Sequence, residues 1–466
     1  MSEVHRILKV IAASWMPERA RAYNTLRSAM PSSQDWMDVL ALGGPEGGME
    51  AVAVSWDDMM QTHRDCADEM ETNEMDMNHK TQAKQDVKRL KFHALTTNKR
   101  KSAPKHSIPT EVIAMCLAPA QYLDLPANTA TLGLGFSRTP ELEAPQVWNA
   151  FLLGYQMINN TSLTPLKWHL SWGAALDKPG SQDNPLPAKR KRLVHRMDEQ
   201  GKAFFCQKMA AADKFCPNRP FVSHSAQGFL KRRRREAGIL TQLVSIYKLK
   251  KCGRSGLLLN TDEANAFGST KREVLSEQAE VIFDVPDHKF GQQRHTWTAV
   301  EVMTATGTLV LRNKVGALMG DQWAVRSFLH AHEEPSNSWN AQHVFFQPCE
   351  DALFFHTKCP INPTAAHART DQSFSKYADD MVKMVVAPAG ASFEEILELA
   401  STSLGRLDEE LALFGYAQNR SKMIAVLCLS GKGSRRVVHD IANGSLKPPF
   451  TCRLTVKSLG SMVTHD

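Results

Sequence analysis

The stretch FSKYADDMVKMVV, residues 374–386, sets two adjacent aspartates inside an otherwise apolar run. Like charges side by side repel, and burying either one unpaired costs several kcal/mol. A chain can carry such a pair in two ways: on an exposed turn of no further consequence, or at a site built to hold cations. The apolar and aromatic flanks predict strand, tight turn, strand, with the aspartates at the turn.

Other segments surround this hairpin with an α+β pattern. GLLLNTD (256–262) is a short continuous apolar run that ends on an acid, so it predicts a buried strand delivering Asp262 at its C-terminal end. TWTAVEVMTATGTLVLRN (296–313) alternates around Thr306-Gly307 and predicts a second hairpin. GALMGDQWAVRSFLHAH (316–332) begins on glycines and turns helical. SFEEILELASTSLGRLDEELALFG (392–415) predicts a long helix, started by Ser392 with acids in the next turn and stopped by Gly415. Upstream, KSAPKHSIPTEVI (101–113) and TPELEAPQVWNAFLLGYQMI (139–158) read as helix starts, and WHLSWGAAL (168–176) as a short strand.

Charge is unevenly distributed. From Pro187 to Arg254 there are 18 Lys and Arg against 4 Asp and Glu, a local balance of +14 in a chain of net +7, so the remainder is acidic at −7. A basic segment on an acidic protein suggests a polyanion-binding surface, with a solvated charged loop or a nuclear import signal as the alternatives. No apolar run reaches the length of a membrane span, and the N-terminus lacks the pattern of a secretory signal, so the expected location is intracellular, nucleus or cytoplasm. The nine cysteines include no C-x-x-C pair; Cys349, His356 and Cys359 could form a zinc site, and incidental thiols are the simpler reading.

A strand-end acid, a glycine-led helix and a two-aspartate hairpin, in that chain order, form the pattern of a polymerase palm. Nucleotidyl transfer needs it, because the attacking and leaving oxygens both carry negative charge. Two magnesium ions about 3.5–4 Å apart stabilise both oxygens at once. Each ion needs only one or two carboxylates beside water and substrate phosphates. Asp262 and Asp379, brought together from two strands, would supply them.

The residues resemble the reverse transcriptases of non-LTR (LINE-type) retrotransposons over roughly residues 100–466. YADD (377–380) resembles the catalytic box, and TDEANAF (261–267) the first aspartate motif. FGYAQNRSKM (414–423) resembles the Gly…Asn-x-x-Lys segment, and VKSLGSMVTHD (456–466) the Leu-Gly primer-grip hairpin. SAPKHSIPTEVI, LDKPG…RLVHR…GKAF (176–204) and AQGFLKRRRREAGIL (226–240) resemble the finger motifs. The resemblance implies that Asp262 and Asp379 bind the two magnesium ions, with manganese as the alternative ion, and that Asp380 assists. It implies a steric gate at Phe267 that excludes a ribose 2′-hydroxyl, Tyr377 near the primer terminus, and Lys422 as general acid for pyrophosphate. It places triphosphate or template contacts at Lys178, Arg190, Arg192 and Lys202, the incoming nucleotide near Gly320, and the primer strand at Gly460. RNA template, DNA primer and dNTPs are the implied partners, with no membrane and no protein partner.

The expected architecture is an α+β right-hand polymerase: a polar helical N-terminal extension (1–95), basic fingers (96–253) and a palm (254–466) whose antiparallel sheet has helices packed on one face. The chain ends just after the primer-grip-like box, where a thumb is expected. Met319 stands where relatives have Gln, and Trp323-Ala324 where a Pro-Leu pair is usual. Two other readings stay open: an inactive, truncated remnant that binds nucleic acid, and an RNA-directed RNA polymerase sharing the palm.

Overall fold

The computed structural model describes residues 30–40, 50–68, 77–97, 107–118, 145–178, 180–215, 225–229, 233–283, 285–318, 321–341, 354–357, 368–371, 373–458 and 461–464. They form a mixed α+β fold with two five-stranded sheets, both mixed in direction. The chain divides into two compact units. One holds the described residues of Met1–Gly43 with those of Met49–Asn218 and Ala279–Ala324, and the other holds those of Arg219–Gln278 and Val325–Asp466. Among the described residues no helix is long and apolar enough to cross a membrane.

This division differs from the expected boundaries at 95/96 and 253/254. The predicted hairpin does form, from strands Ala299–Met303 and Thr308–Arg312. It does not join the Asp262 strand. Its first strand pairs in parallel with Leu170–Asp177, which pairs with Lys191–Met197, so residues 299–312 complete the sheet of the first unit. Val300, Val302 and Leu311 line one of that unit's cores with Trp36. A larger one gathers Val87, Leu90, Ile113, Tyr155, Phe204, Phe290 and Trp323 from several helices.

Trp323, unusual for the resemblance, is a core residue of the first unit. It is fully buried and stacks on Phe283 with ring centroids 3.9 Å apart. Gly291 leaves it the room, since a Cβ there would lie 2.5 Å from the indole. Asp321 just before it accepts from Trp323 N at 3.2 Å and pairs with buried Arg294 at 2.8 Å. Met319 and Gly320 lie outside the described residues.

The second unit is built on the sheet that carries the aspartates. Strand Gly256–Thr261 is central. It pairs antiparallel with Asp380–Val386 on one side and with Ile424–Cys428 on the other. Phe374–Tyr377 extends the first side and Thr451–Arg453 the second. That last pairing is parallel, so the expected wholly antiparallel sheet fails at one edge.

Period-two alternation separates the two faces cleanly. Leu257, Leu259, Met381, Val385, Ala425 and Leu427 face the helix Phe393–Leu413 through Ile396, Ala400, Leu404, Leu407 and Leu411. Leu258, Val382, Met384, Val386, Val426 and Cys428 face the other way, against Ile246 and Leu249 of helix Arg235–Lys251 and Val456 and Val463 of the C-terminal hairpin. The expectation of helices on one face is therefore corrected. The central strands are apolar on both sides, and each buried leucine contributes about 1.5–3 kcal/mol only when a second layer covers it. The long helix starts as predicted, with a complete capping box between Ser392 and Glu395.

Candidate active site

The FSKYADDMVKMVV segment folds as the predicted hairpin. Tyr377 pairs with Asp380, leaving Ala378 and Asp379 as its two-residue turn. Ala378 has φ +60°, a left-handed conformation usually reserved for glycine. A short segment braces the turn from outside. Gln227 N donates to Lys376 O at 2.8 Å, and Lys376 N to Ser225 O at 2.9 Å. Gly228 then lies so close that a Cβ on it would be 2.5 Å from Ala378 N.

Strand register brings the acids together. Met381 faces Thr261 across the antiparallel pair, so continuing the ladder by one residue sets Asp380 opposite Asp262. The 414–423 segment closes on Asp262 from the other side. Ala264 N donates to Ala417 O at 2.9 Å, and Asn419 N to Asp262 O at 2.7 Å. Two side chains of the Asn-x-x-Lys motif then converge on one oxygen: Asn419 Nδ2 donates to Asp262 Oδ2 at 3.2 Å and Lys422 Nζ at 2.8 Å. Lys422 is 63% exposed, so its ammonium can leave Asp262 without breaking a core contact.

The electrostatics match a like-charge cluster. Asp380 is exposed as a residue, yet its carboxyl is crowded enough that lost hydration is the largest cause pushing it up to about 6. Repulsion from Asp379 and Asp262 adds to this, and Lys422 opposes it. Asp379 is raised in the same direction, first by burial and then by Glu263 and Asp262.

Beneath lies a layer that the sequence reading missed. Glu263, fully buried, shares a hydrogen bond with His332 Nε2 through Oε1, while its Oε2 has no hydrogen-bond partner among the described residues. Burial holds the Glu263 carboxyl well above the usual range and pushes His332 down to about 3. Lys376 and Glu333 form a second buried pair at 2.8 Å. The available signal was alternation: Lys376 falls on the same inward face as Phe374, where a charge needs a partner.

The other expected site residues fall into three groups. Phe267 is 9% exposed and packs on Phe328 at 4.5 Å and edge-on to Phe229 at 6.0 Å, so the ring is core on one side and borders exposed Phe229 on the other. Lys178, Arg190, Arg192 and Lys202 all belong to the first unit, apart from the unit that holds the aspartates. There Lys178 N donates to Arg190 O at 2.8 Å, Arg192 lies on an exposed strand position opposite Leu176, and Lys202 sits in helix Glu199–Phe215. Gly320 and Gly460 lie outside the described residues. The strands flanking Gly460 do pair as a hairpin with Ser458 opposite Ser461. Cys349 and Cys359 also lie outside them.

Among the described residues no three His, Cys, Asp or Glu side chains converge tightly enough to hold an ion by themselves. Magnesium does not require this, since it is commonly held by one or two carboxylates with phosphates and waters completing the shell. Asp262, Asp379 and Asp380 fit that role as hard oxygen donors whose mutual repulsion a cation relieves.

No protein-family model matches the chain, and no curated protein matches it. Among solved structures the chain is similar to apo telomerase from Candida tropicalis, truncated from its C-terminal domain, with TM-score 0.38 and 10% identity. That likeness covers 65% of this chain and 54% of the other, about half of its length.

Proposed function

We propose that the second unit carries a nucleotidyl-transfer site, and that the chain is an RNA-directed DNA polymerase, the reverse transcriptase domain of a non-LTR retrotransposon. The observation that carries this reading is the convergence of Asp262 with the Asp379-Asp380 turn on adjacent strand ends, where lost hydration first, and repulsion from Asp379 and Asp262 second, raise Asp380 to about 6. Such a cluster is costly in a free protein and becomes favourable when divalent cations bind it.

In this reading Asp262 and Asp379 would hold two magnesium ions, with Asp380 assisting. Such ions would supply charge neutralisation for the attacking and leaving oxygens of nucleotidyl transfer. Asn419 orients the Asp262 carboxylate through Oδ2. Lys422, 63% exposed, would be free to part from Asp262 and to give a proton to pyrophosphate. Tyr377, at the root of the turn, faces the primer end. Phe267 excludes a 2′-hydroxyl through the edge that borders Phe229.

Primer extension on an RNA template with Mg²⁺ tests this reading. The parent chain is expected to incorporate dNTPs and Asp379→Ala to incorporate none. Equal incorporation by both sinks the catalytic assignment, and preference for NTPs over dNTPs turns it into an RNA polymerase. The Lys422–Asp262 ion pair favours a second reading, in which the lysine keeps its place and the chain only binds nucleic acid. That reading predicts RNA binding with no Mg²⁺-dependent synthesis.

A further inference from the structure

The aspartate hairpin carries a lysine on each strand, Lys376 and Lys383, and both are buried, 3% and 2% exposed. A buried ammonium persists only where charge and hydrogen-bond partners meet it. One helix, Glu333–Ala341, meets both. Lys376 Nζ lies 2.8 Å from Glu333 Oε2 and 2.6 Å from Ser336 Oγ, in the first turn. Lys383 Nζ donates to Trp339 O near the other end and stands 4.8 Å over the Trp339 ring. The signs suit the helix dipole, with the acid at its N-terminus and an ammonium at its C-terminus. His332, immediately before the helix, bonds Glu263, the neighbour of Asp262. A single short helix is thus fastened to both strands of the hairpin and, through His332, to the end of the Asp262 strand.

We propose that helix Glu333–Ala341 is a clamp that fixes the separation between Asp262 and the hairpin aspartates, with Lys376, Glu333 and Ser336 as positioning residues for the divalent cation. They do not touch the cation; they act by holding the turn in register against Asp262. The inference rests on the cation-site reading above. It goes beyond it by assigning the geometry of the site to a layer beneath the carboxylates.

The test is Mn²⁺ binding to the full chain, read by electron paramagnetic resonance, beside thermal melting. Lys376→Met takes the ammonium away from the buried Glu333 carboxylate, so it melts lower whatever its role. The double variant K376M/E333Q removes both charges and is expected to regain most of the melting temperature. If the clamp sets the site, the double variant still binds Mn²⁺ about 10- to 100-fold more weakly, the usual effect of losing a supporting partner of a metal ligand. Parental affinity in the double variant overturns the clamp, because the pair would then serve only its own burial. Should the double variant melt far below the parent, Ser336→Ala decides instead. It removes one hydrogen bond to Lys376 and is expected to weaken Mn²⁺ binding at unchanged melting temperature; unchanged affinity overturns the clamp. A parent chain that binds no Mn²⁺ overturns the cation site itself, and the clamp with it.

Discussion

Asp380 shows most directly how a single side chain links stability to pH. Its carboxyl is raised from an ordinary value of 3.8 to about 6. The folded state therefore holds a proton that the unfolded state has already released. Between about pH 4 and 6 stability falls as pH rises, and above that window the ionised cluster carries its full penalty. Asp379 shifts in the same direction and deepens the effect. In chelator, the melting temperature of the parent is expected to drop from pH 5 to pH 7, and Asp380→Asn to flatten that drop. Mn²⁺ is expected to restore the parent at pH 7 and to raise the variant less, because Asp262 and Asp379 remain in it while the Asp380 charge is already gone. An identical pH profile for both proteins would remove Asp380 from the account. The aspartates themselves were legible in the sequence, since two carboxylates in an apolar run demand an explanation. Glu263 and His332 were not, because a buried pair 69 residues apart leaves no local pattern.

At the scale of elements, the hairpin depends on a turn that its own sequence disfavours. Ala378 takes a positive φ without being glycine, and such strain persists only where neighbours enforce it. The enforcing neighbour is the Ser225–Gly228 segment, which hydrogen-bonds along the first strand and ends with Gly228 against the Ala378 backbone. A side chain at Gly228 meets main chain, not a flexible tip, so the turn must move to admit it. Gly228→Ala is expected to cost about 1–3 kcal/mol by overpacking, and to lower cation affinity because Asp379 moves with the turn. Denaturant melts and Mn²⁺ titration check both; a variant with parental stability and affinity would show that the segment is not a brace. The strands and the long capped helix were readable from alternation, helical spacing and the Ser392–Glu395 box. Their layering was not, because a strand that is apolar on both faces does not say which helix covers which side. Only the pairing of Leu258 with Ile246 and Leu249, against that of Leu257 and Leu259 with the long helix, assigns the layers.

For the whole molecule, chain order is a poor guide to the units, since residues 279–324 return to the first one to complete its sheet. Parallel pairing of Ala299–Met303 with Leu170–Asp177 decides this, and periodicity gives no means to foresee a partner more than a hundred residues away. The same division splits the basic span of 187–254, so each unit carries part of the cationic surface. In the second unit Arg234 and Arg235 are exposed at the start of helix Arg235–Lys251, while Arg233 is turned inward and donates from Nη1 to Ala226 O at 2.6 Å. A reader of primary sequence sees five consecutive basic residues at 231–235. The fold separates two that face solvent from one that braces the segment beside the turn. If the chain binds nucleic acid as proposed, Arg234 and Arg235 are, among the described residues of this run, the ones placed to attract phosphate, and loss of Arg233 should act on the hairpin instead. Each phosphate contact to a single strand contributes a slope of about −0.7 to the dependence of log affinity on log salt. Replacing Arg234 and Arg235 together by Gln is expected to reduce the slope for single-stranded RNA by up to about 1.4, without changing Mn²⁺ affinity. Arg233→Gln is expected to leave the slope unaltered and to weaken Mn²⁺ binding. The reverse pattern, with Arg233 controlling the salt slope, would mean that this arginine reaches the nucleic acid and that the brace is held by the backbone alone.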